Sequence, residues 1–130
     1  LNASAPVAAP PRLPSLQDPA HGIPEPSPGG VSILPPTHGS GDAMLLAALG
    51  LRHGSQGRLT VVISASALDA SRLAEEIQWF APSLRVRVLA DWETLPYDAF
   101  SPHQDLVSDR LATLFDLQGR RLDLLVVAAT

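Results

Sequence analysis

Ten of the thirteen prolines lie between Pro6 and Pro36, and only Pro82, Pro96 and Pro102 follow. Proline removes a backbone donor and fixes φ, so a stretch this dense cannot run through a helix or a sheet interior. Residues 1–30 are also rich in Ala, Ser and Gly, with Arg12, Asp18 and Glu25 as their charges, and are expected to form a disordered leader. Within it, Pro24-Glu-Pro-Ser-Pro28 has the alternative reading of a polyproline docking peptide. Residues 31–130 remain to build one domain with a modest core.

Composition then removes several chemistries. All nine basic residues are arginine, so the chain supplies no Schiff-base lysine, no phosphate-clamping lysine of a P-loop and no lysine base. With no cysteine there are no disulfides, thiolate nucleophiles or cysteine-bound metals, which fits a reducing compartment. The net charge of -4 gives no global attraction to nucleic acid, so a DNA contact would need a local arginine patch.

From residue 31 the hydrophobic period alternates between helix and strand. Gly41 to about His53 reads as a helix with Met44, Leu45, Leu46, Leu49 and Leu51, stopped by Gly54. Leu59–Ile63 is a short β-branched strand, and Ser66 then caps a helix that carries Leu73, Ile77 and Phe80 on one face and ends before Pro82. In Leu84–Leu89, Leu84, Val86 and Val88 share one face and Arg85 and Arg87 the other. Ser101 is placed as the next cap, with Pro102 at the first helical position and Gln104 completing a capping box. Leu106, Val107, Leu111, Leu114 and Phe115 supply that helix's core face until Gly119, and Leu122–Thr130 closes with a third strand. Strands separated by helices build an α/β fold, a parallel sheet covered by helices.

The motifs that suggest chemistry also have plain structural readings. Thr37–Met44 is a Gly-rich turn entering a helix, the place where α/β folds bind phosphate. Asp42 and Ala43 stand after Gly41 where a P-loop has its lysine and hydroxyl, which leaves a helix start capped by Ser40 or Asp42. His38, Ser40 and Asp42 are too close in sequence for a hydrolase triad, and His21, His38, His53 and His103 lack metal-ligand spacing, so no metal site is predicted. Arg85 and Arg87 read as a solvated face, or alternatively as a phosphate-contacting pair. Asp91 and Glu93 have the spacing of an acid-base pair, but nothing else in the chain completes such a site. In the loop 91–105, Trp92, Tyr97 and Phe100 are expected to anchor against the sheet with the carboxylates facing water.

That loop carries a resemblance. Asp91-Trp-Glu-Thr-Leu-Pro-Tyr-Asp-Ala-Phe-Ser-Pro-His-Gln-Asp105, followed by Arg110-Leu-Ala-Thr-Leu114, resembles the N-terminal part of the bacterial transcription-repair coupling factors, and the resemblance covers roughly the last 90 residues. It implies that residues 31–130 are the first part of a UvrB-like subdomain, a partial RecA-like layer with a degenerate nucleotide site. Phe100 runs directly into Ser101, with no room for the aromatic hairpin of UvrB itself. The resemblance further implies a parent that is an ATP-driven translocase on double-stranded DNA, displacing stalled RNA polymerase and recruiting UvrA. ATP and magnesium would belong to its downstream motors. No catalytic, cofactor-binding or metal-binding residue is carried onto this chain.

The start at Leu1 and the apolar run up to Thr130 give the chain the look of a front piece of a longer protein, whose closing strand is expected to be an exposed apolar edge prone to aggregation. Without a signal peptide or an 18-residue apolar span, the parent reads as cytoplasmic. The competing reading is a small stand-alone α/β enzyme with its site at Gly39–Asp42 and Asp91–Asp98. A helicase fragment related to UvrB is a third, disfavoured by the missing Walker lysine.

Overall fold

The computed structural model describes residues 23, 27–91 and 103–129. Six elements follow in the order α1 (Gly41–Ser55), β1 (Thr60–Ser64), α2 (Ala67–Phe80), β2 (Val86–Leu89), α3 (Gln104–Gln118) and β3 (Leu124–Ala128). The expected leader lies almost wholly outside the described residues, and residues 31–38 form no helix or strand. Regular structure therefore starts at Gly41, ten residues after the boundary that proline density suggests.

The three strands form a parallel sheet in the order β1-β3-β2, with Val62 and Val88 both in register with Val126. This corrects one expectation: the closing strand is the centre of the sheet, with a neighbour on each side, and β1 and β2 are the edges. The chain reaches β2 through α2 and returns through α3 into the space left between the first two strands. An apolar edge does exist, but on β1, where Val61 and Ile63 are exposed.

Strand alternation sorts the core. Val62, Leu124 and Val126 join Ala43 and Ala47 of α1, Ala70, Leu73 and Ile77 of α2, and Leu84 in one buried cluster. Helix α2 follows its sequence signals: the Ser66 side chain accepts from the Asp69 amide at 3.2 Å, and the helix ends at Phe80, ahead of Pro82. Helix α1 does not follow them. Its buried residues are Ala43, Ala47 and Gly50, at helical spacing, while Leu51 is exposed. The reason is close approach: a Cβ on Gly50 would stand 3.0 Å from Leu84 Cδ1 and 3.2 Å from Leu124 Cδ1, so only small residues fit that side.

Helix α3 departs further from expectation. His103 is its N-cap and Gln104 its first residue, so the helix starts beyond Ser101 and Pro102, which lie outside the described residues. Its buried residue is Thr113, whose hydroxyl donates to the Asp109 carbonyl at 2.8 Å, whereas Leu111, Leu114 and Phe115 are exposed. Its main contact with the sheet is β2, and much of its apolar stripe is left uncovered. At its C-terminus the Arg120 amide donates to Leu117 and the Arg121 amide to Asp116, a Schellman closure. The left-handed residue of that closure is Arg120, at φ +52°, and not Gly119. An L-residue there costs roughly 1–2 kcal/mol.

Candidate functional site

The Gly-rich turn sits where the sequence places it. Gly39, at φ +57°, uses the left-handed freedom of glycine, and the Gly41 amide donates to the His38 carbonyl at 3.1 Å. Ser40 is the N-cap residue, yet its side chain makes no capping hydrogen bond. Asp42 does the polar work instead. One carboxylate oxygen accepts from the Ala43 amide at 2.7 Å, and the other accepts from Arg72 Nη2 at 2.9 Å.

Arg72 is the hub of this corner. Beside Asp42 it donates to Asp69 from Nε and Nη2, at 3.1 and 2.8 Å, and to Glu76 from Nη1 at 2.9 Å. Asp69, Arg72 and Glu76 are helix neighbours at spacings of three and four, so that part of the network is local, while the Asp42 contact fastens the start of α1 to α2. The hydrogen bond from Arg72 holds the Asp42 carboxyl below its ordinary value against a smaller opposing effect of burial, and Asp42, then Asp69, raise the guanidinium further above its own. Three carboxylates around one guanidinium leave no positive charge to meet a triphosphate. The network explains the Asp after Gly41 as a fastening between helices.

The arginines at the start of β2, Arg85 just before it and Arg87 within it, also meet carboxylates. Arg85 donates to Asp123 from Nε at 2.9 Å and from Nη2 at 2.7 Å, and its own amide donates to the same carboxylate at 2.9 Å. Arg87 Nη2 donates to Asp116 of α3 at 3.1 Å. Neither pairing is legible in the sequence, because Asp116 comes from α3 and Asp123 from the residue just before β3. The bonds to Arg85 hold Asp123 below the ordinary carboxylate range, again against burial, and the guanidinium rises in return.

These depressed carboxyls give a pH prediction. Protonation is easier in the unfolded chain, so the stabilisation from Asp42 and Asp123 is complete above the unfolded carboxyl value near 4. It is lost as pH falls through the lower folded values. Thermal melts between pH 7 and pH 2 should show the midpoint falling on the acid side, and the double variant Asp42→Asn, Asp123→Asn should flatten that fall. An unchanged acid slope in the variant would show that these two carboxyls do not carry it.

The other sequence candidates do not converge. His53 Nδ1 lies 3.0 Å from the Thr60 hydroxyl, and the exposed His103 accepts from the Asp105 amide. Asp91 is described and exposed, whereas His21, Glu93, Trp92, Tyr97 and Phe100 lie outside the described residues. Arg110 reaches from α3 to the Ala90 carbonyl, tying the helix to the end of β2. Among the described residues no three metal-ligating side chains come together, and no helix is long and apolar enough to cross a membrane.

The fold and its closed turn define a parallel α/β layer whose helix start is fastened by an internal ion pair. No protein-family model matches the chain. Over 89 residues, 68% of the chain, it is 44% identical to the transcription-repair-coupling factor of Escherichia coli strain K12. Over 63 residues, 48% of the chain, it is 46% identical to the transcription-repair-coupling factor of Haemophilus influenzae. The chain is thus homologous to a segment of the transcription-repair-coupling factors, as the 91–105 signature implied. The matches span 7% and 5% of those relatives' own lengths.

Proposed function

We propose that this chain is a non-catalytic structural layer of a transcription-repair coupling factor, the opening part of its UvrB-like module. The observation that carries this reading is the Asp42–Arg72 fastening. It stands at the helix start where a nucleotide-binding relative would present a lysine and a hydroxyl to phosphate. The homology to coupling factors supplies the context. In the whole protein, downstream motors would use ATP and magnesium to translocate on double-stranded DNA and displace stalled RNA polymerase in the cytoplasm. This layer would support the neighbouring surface that recruits UvrA.

The stand-alone enzyme reading differs in one measurable respect, since a site at Gly39–Asp42 would respond to its ligand. Differential scanning of the chain with millimolar ATP and magnesium should leave the melting midpoint within experimental scatter, and phosphate release should equal the buffer blank. A nucleotide-dependent rise in the midpoint, expected for any ligand well above its Kd, would overturn the proposal.

A further inference from the structure

The two edges of the sheet differ in what surrounds them. On β1 the side chains of Val61 and Ile63 are exposed, whereas β2, with β3 on one side only, has its free edge between α2 and α3, which both pack on it. An open groove of about 370 Å³ follows that edge, lined by Val86, Val88 and Ala90, by Glu75 and Gln78 of α2 and by Asp109 of α3 among others. A second hollow of about 350 Å³ shares Ser71, Val88 and Ala90 with it and carries it past the end of the strand to Asp91.

The main chain along this edge has hydrogen bonds to offer. The Arg85 carbonyl accepts from the Asp123 and Leu124 amides, at 3.0 and 3.3 Å, so Arg85 faces β3. Strand backbone alternates in direction from one residue to the next, and in a parallel ladder the N–H and C=O of one residue turn to the same side. Arg87 and Leu89 therefore bond toward β3 as well, while Val86 and Val88 turn their N–H and C=O groups into the groove, where no described residue is bonded to them. The groove is closed at the next outward position, because the Ala90 carbonyl is taken by Arg110.

The walls decide which segment fits. Glu75 and Asp109 are exposed, one on each wall, and neither carboxylate has an ion-pair partner among the described residues. Arg87, which also lines the groove, is neutralised by Asp116. We propose that this edge takes an extended basic peptide of a partner protein as a fourth strand, its main chain bonded to Val86 and Val88 and its lysine or arginine side chains reaching Glu75 and Asp109. Successive side chains of an added strand point to opposite faces, so two adjacent basic residues address both walls. An acidic segment would meet two carboxylates with no free cation to offset them. The inference rests on this chain's own residues and does not depend on the module reading above.

Fluorescence anisotropy of the 130-residue chain with the labelled peptide Thr-Val-Lys-Arg-Val-Thr in low salt tests it. Saturable binding is expected, and the peptide with two glutamates in place of Lys-Arg should bind at least about tenfold more weakly. Two further peptides, N-methylated on one or the other set of alternate amides, separate an added strand from charge attraction. The set that faces β2 loses its hydrogen bonds and about tenfold in affinity, while methylation of the other set is tolerated. Glu75→Gln and Asp109→Asn, both at exposed positions, should leave the melting midpoint of the chain within experimental scatter and weaken binding about threefold each. Absence of saturable binding overturns the proposal, as does equal binding of the glutamate peptide. Indifference to both N-methylations overturns it in favour of a loose charge contact, and unchanged affinity in both carboxylate variants overturns it by placing the peptide elsewhere on the chain.

Discussion

Val126→Asp is expected to abolish the folded state, whereas Ile63→Asp leaves it intact. Val126 is 0% exposed at the centre of the sheet, in register with Val62 on one side and Val88 on the other, and α2 packs on the sheet. A carboxylate there has no partner and no water, and the cost exceeds about 4 kcal/mol. That is comparable with the entire stability of a domain of this size, roughly 5–15 kcal/mol. Ile63 is 73% exposed on the edge strand, so a charge there costs at most about 1 kcal/mol through lost β-propensity. It also places a charge on an apolar sheet edge, a common device against strand-to-strand association. Circular dichroism melts and gel filtration of the two variants read the difference. Were β3 the outer strand, as its place at the end of the sequence suggests, the aspartate at Val126 would be the tolerated one.

That pair of variants also marks where sequence legibility stops. The existence and order of the elements follow from local signals, as in α2, where Ser66 caps, Leu73 and Ile77 recur four apart, and Pro82 forbids continuation. The order of strands in the sheet is not local. It depends on where α3 returns the chain, and no property of Leu124–Ala128 alone distinguishes a central strand from an edge. The same limit explains α1, whose leucines suggest a core face while the fully buried contact is made by Ala43, Ala47 and Gly50 and, of the leucines, Leu46 packs beside it half-buried. Which side of a helix faces its neighbour at close range is set by Leu84 and Leu124, far along the chain.

The candidate site divides in the same way. That Asp42 spoils a phosphate loop could be argued from its chemistry, and the spacing of Asp69, Arg72 and Glu76 makes a network within α2 readable in principle. The bond from Arg72 across to Asp42 depends on α1 and α2 packing together. Alternation placed Arg85 and Arg87 on one face, but only the fold brings Asp123 and Asp116 to them. Nor does any sequence signal join Arg58, before β1, to Arg120, after α3, across one groove.

Ile77→Ala should be the most damaging truncation on a helix. Ile77 is 0% exposed and belongs to the cluster that joins α1 and α2 to the sheet through Ala47, Val62, Leu124 and Val126, with Val86 and Val88 of β2 packed against it. Loss of its three outer carbons removes their transfer free energy and leaves a cavity, together about 2–5 kcal/mol, while Ile77→Val should cost about 0.5–1.5 kcal/mol. Leu111→Ala is the comparison, because Leu111 lies 62% exposed on the apolar stripe that the helical period assigned to the core. Away from the packed face a truncation changes stability by about 0.5 kcal/mol or less. Urea denaturation should show the midpoint for Ile77→Ala displaced far below the others, with Leu111→Ala close to the parent. Equal losses at the two positions would mean that α3 presses its stripe against the layer in solution, and that α2 is not the element on which the packing of the sheet depends. The contrast is a sharp one because both residues are branched aliphatics at interior helical positions, so propensity changes little between them and burial decides the outcome.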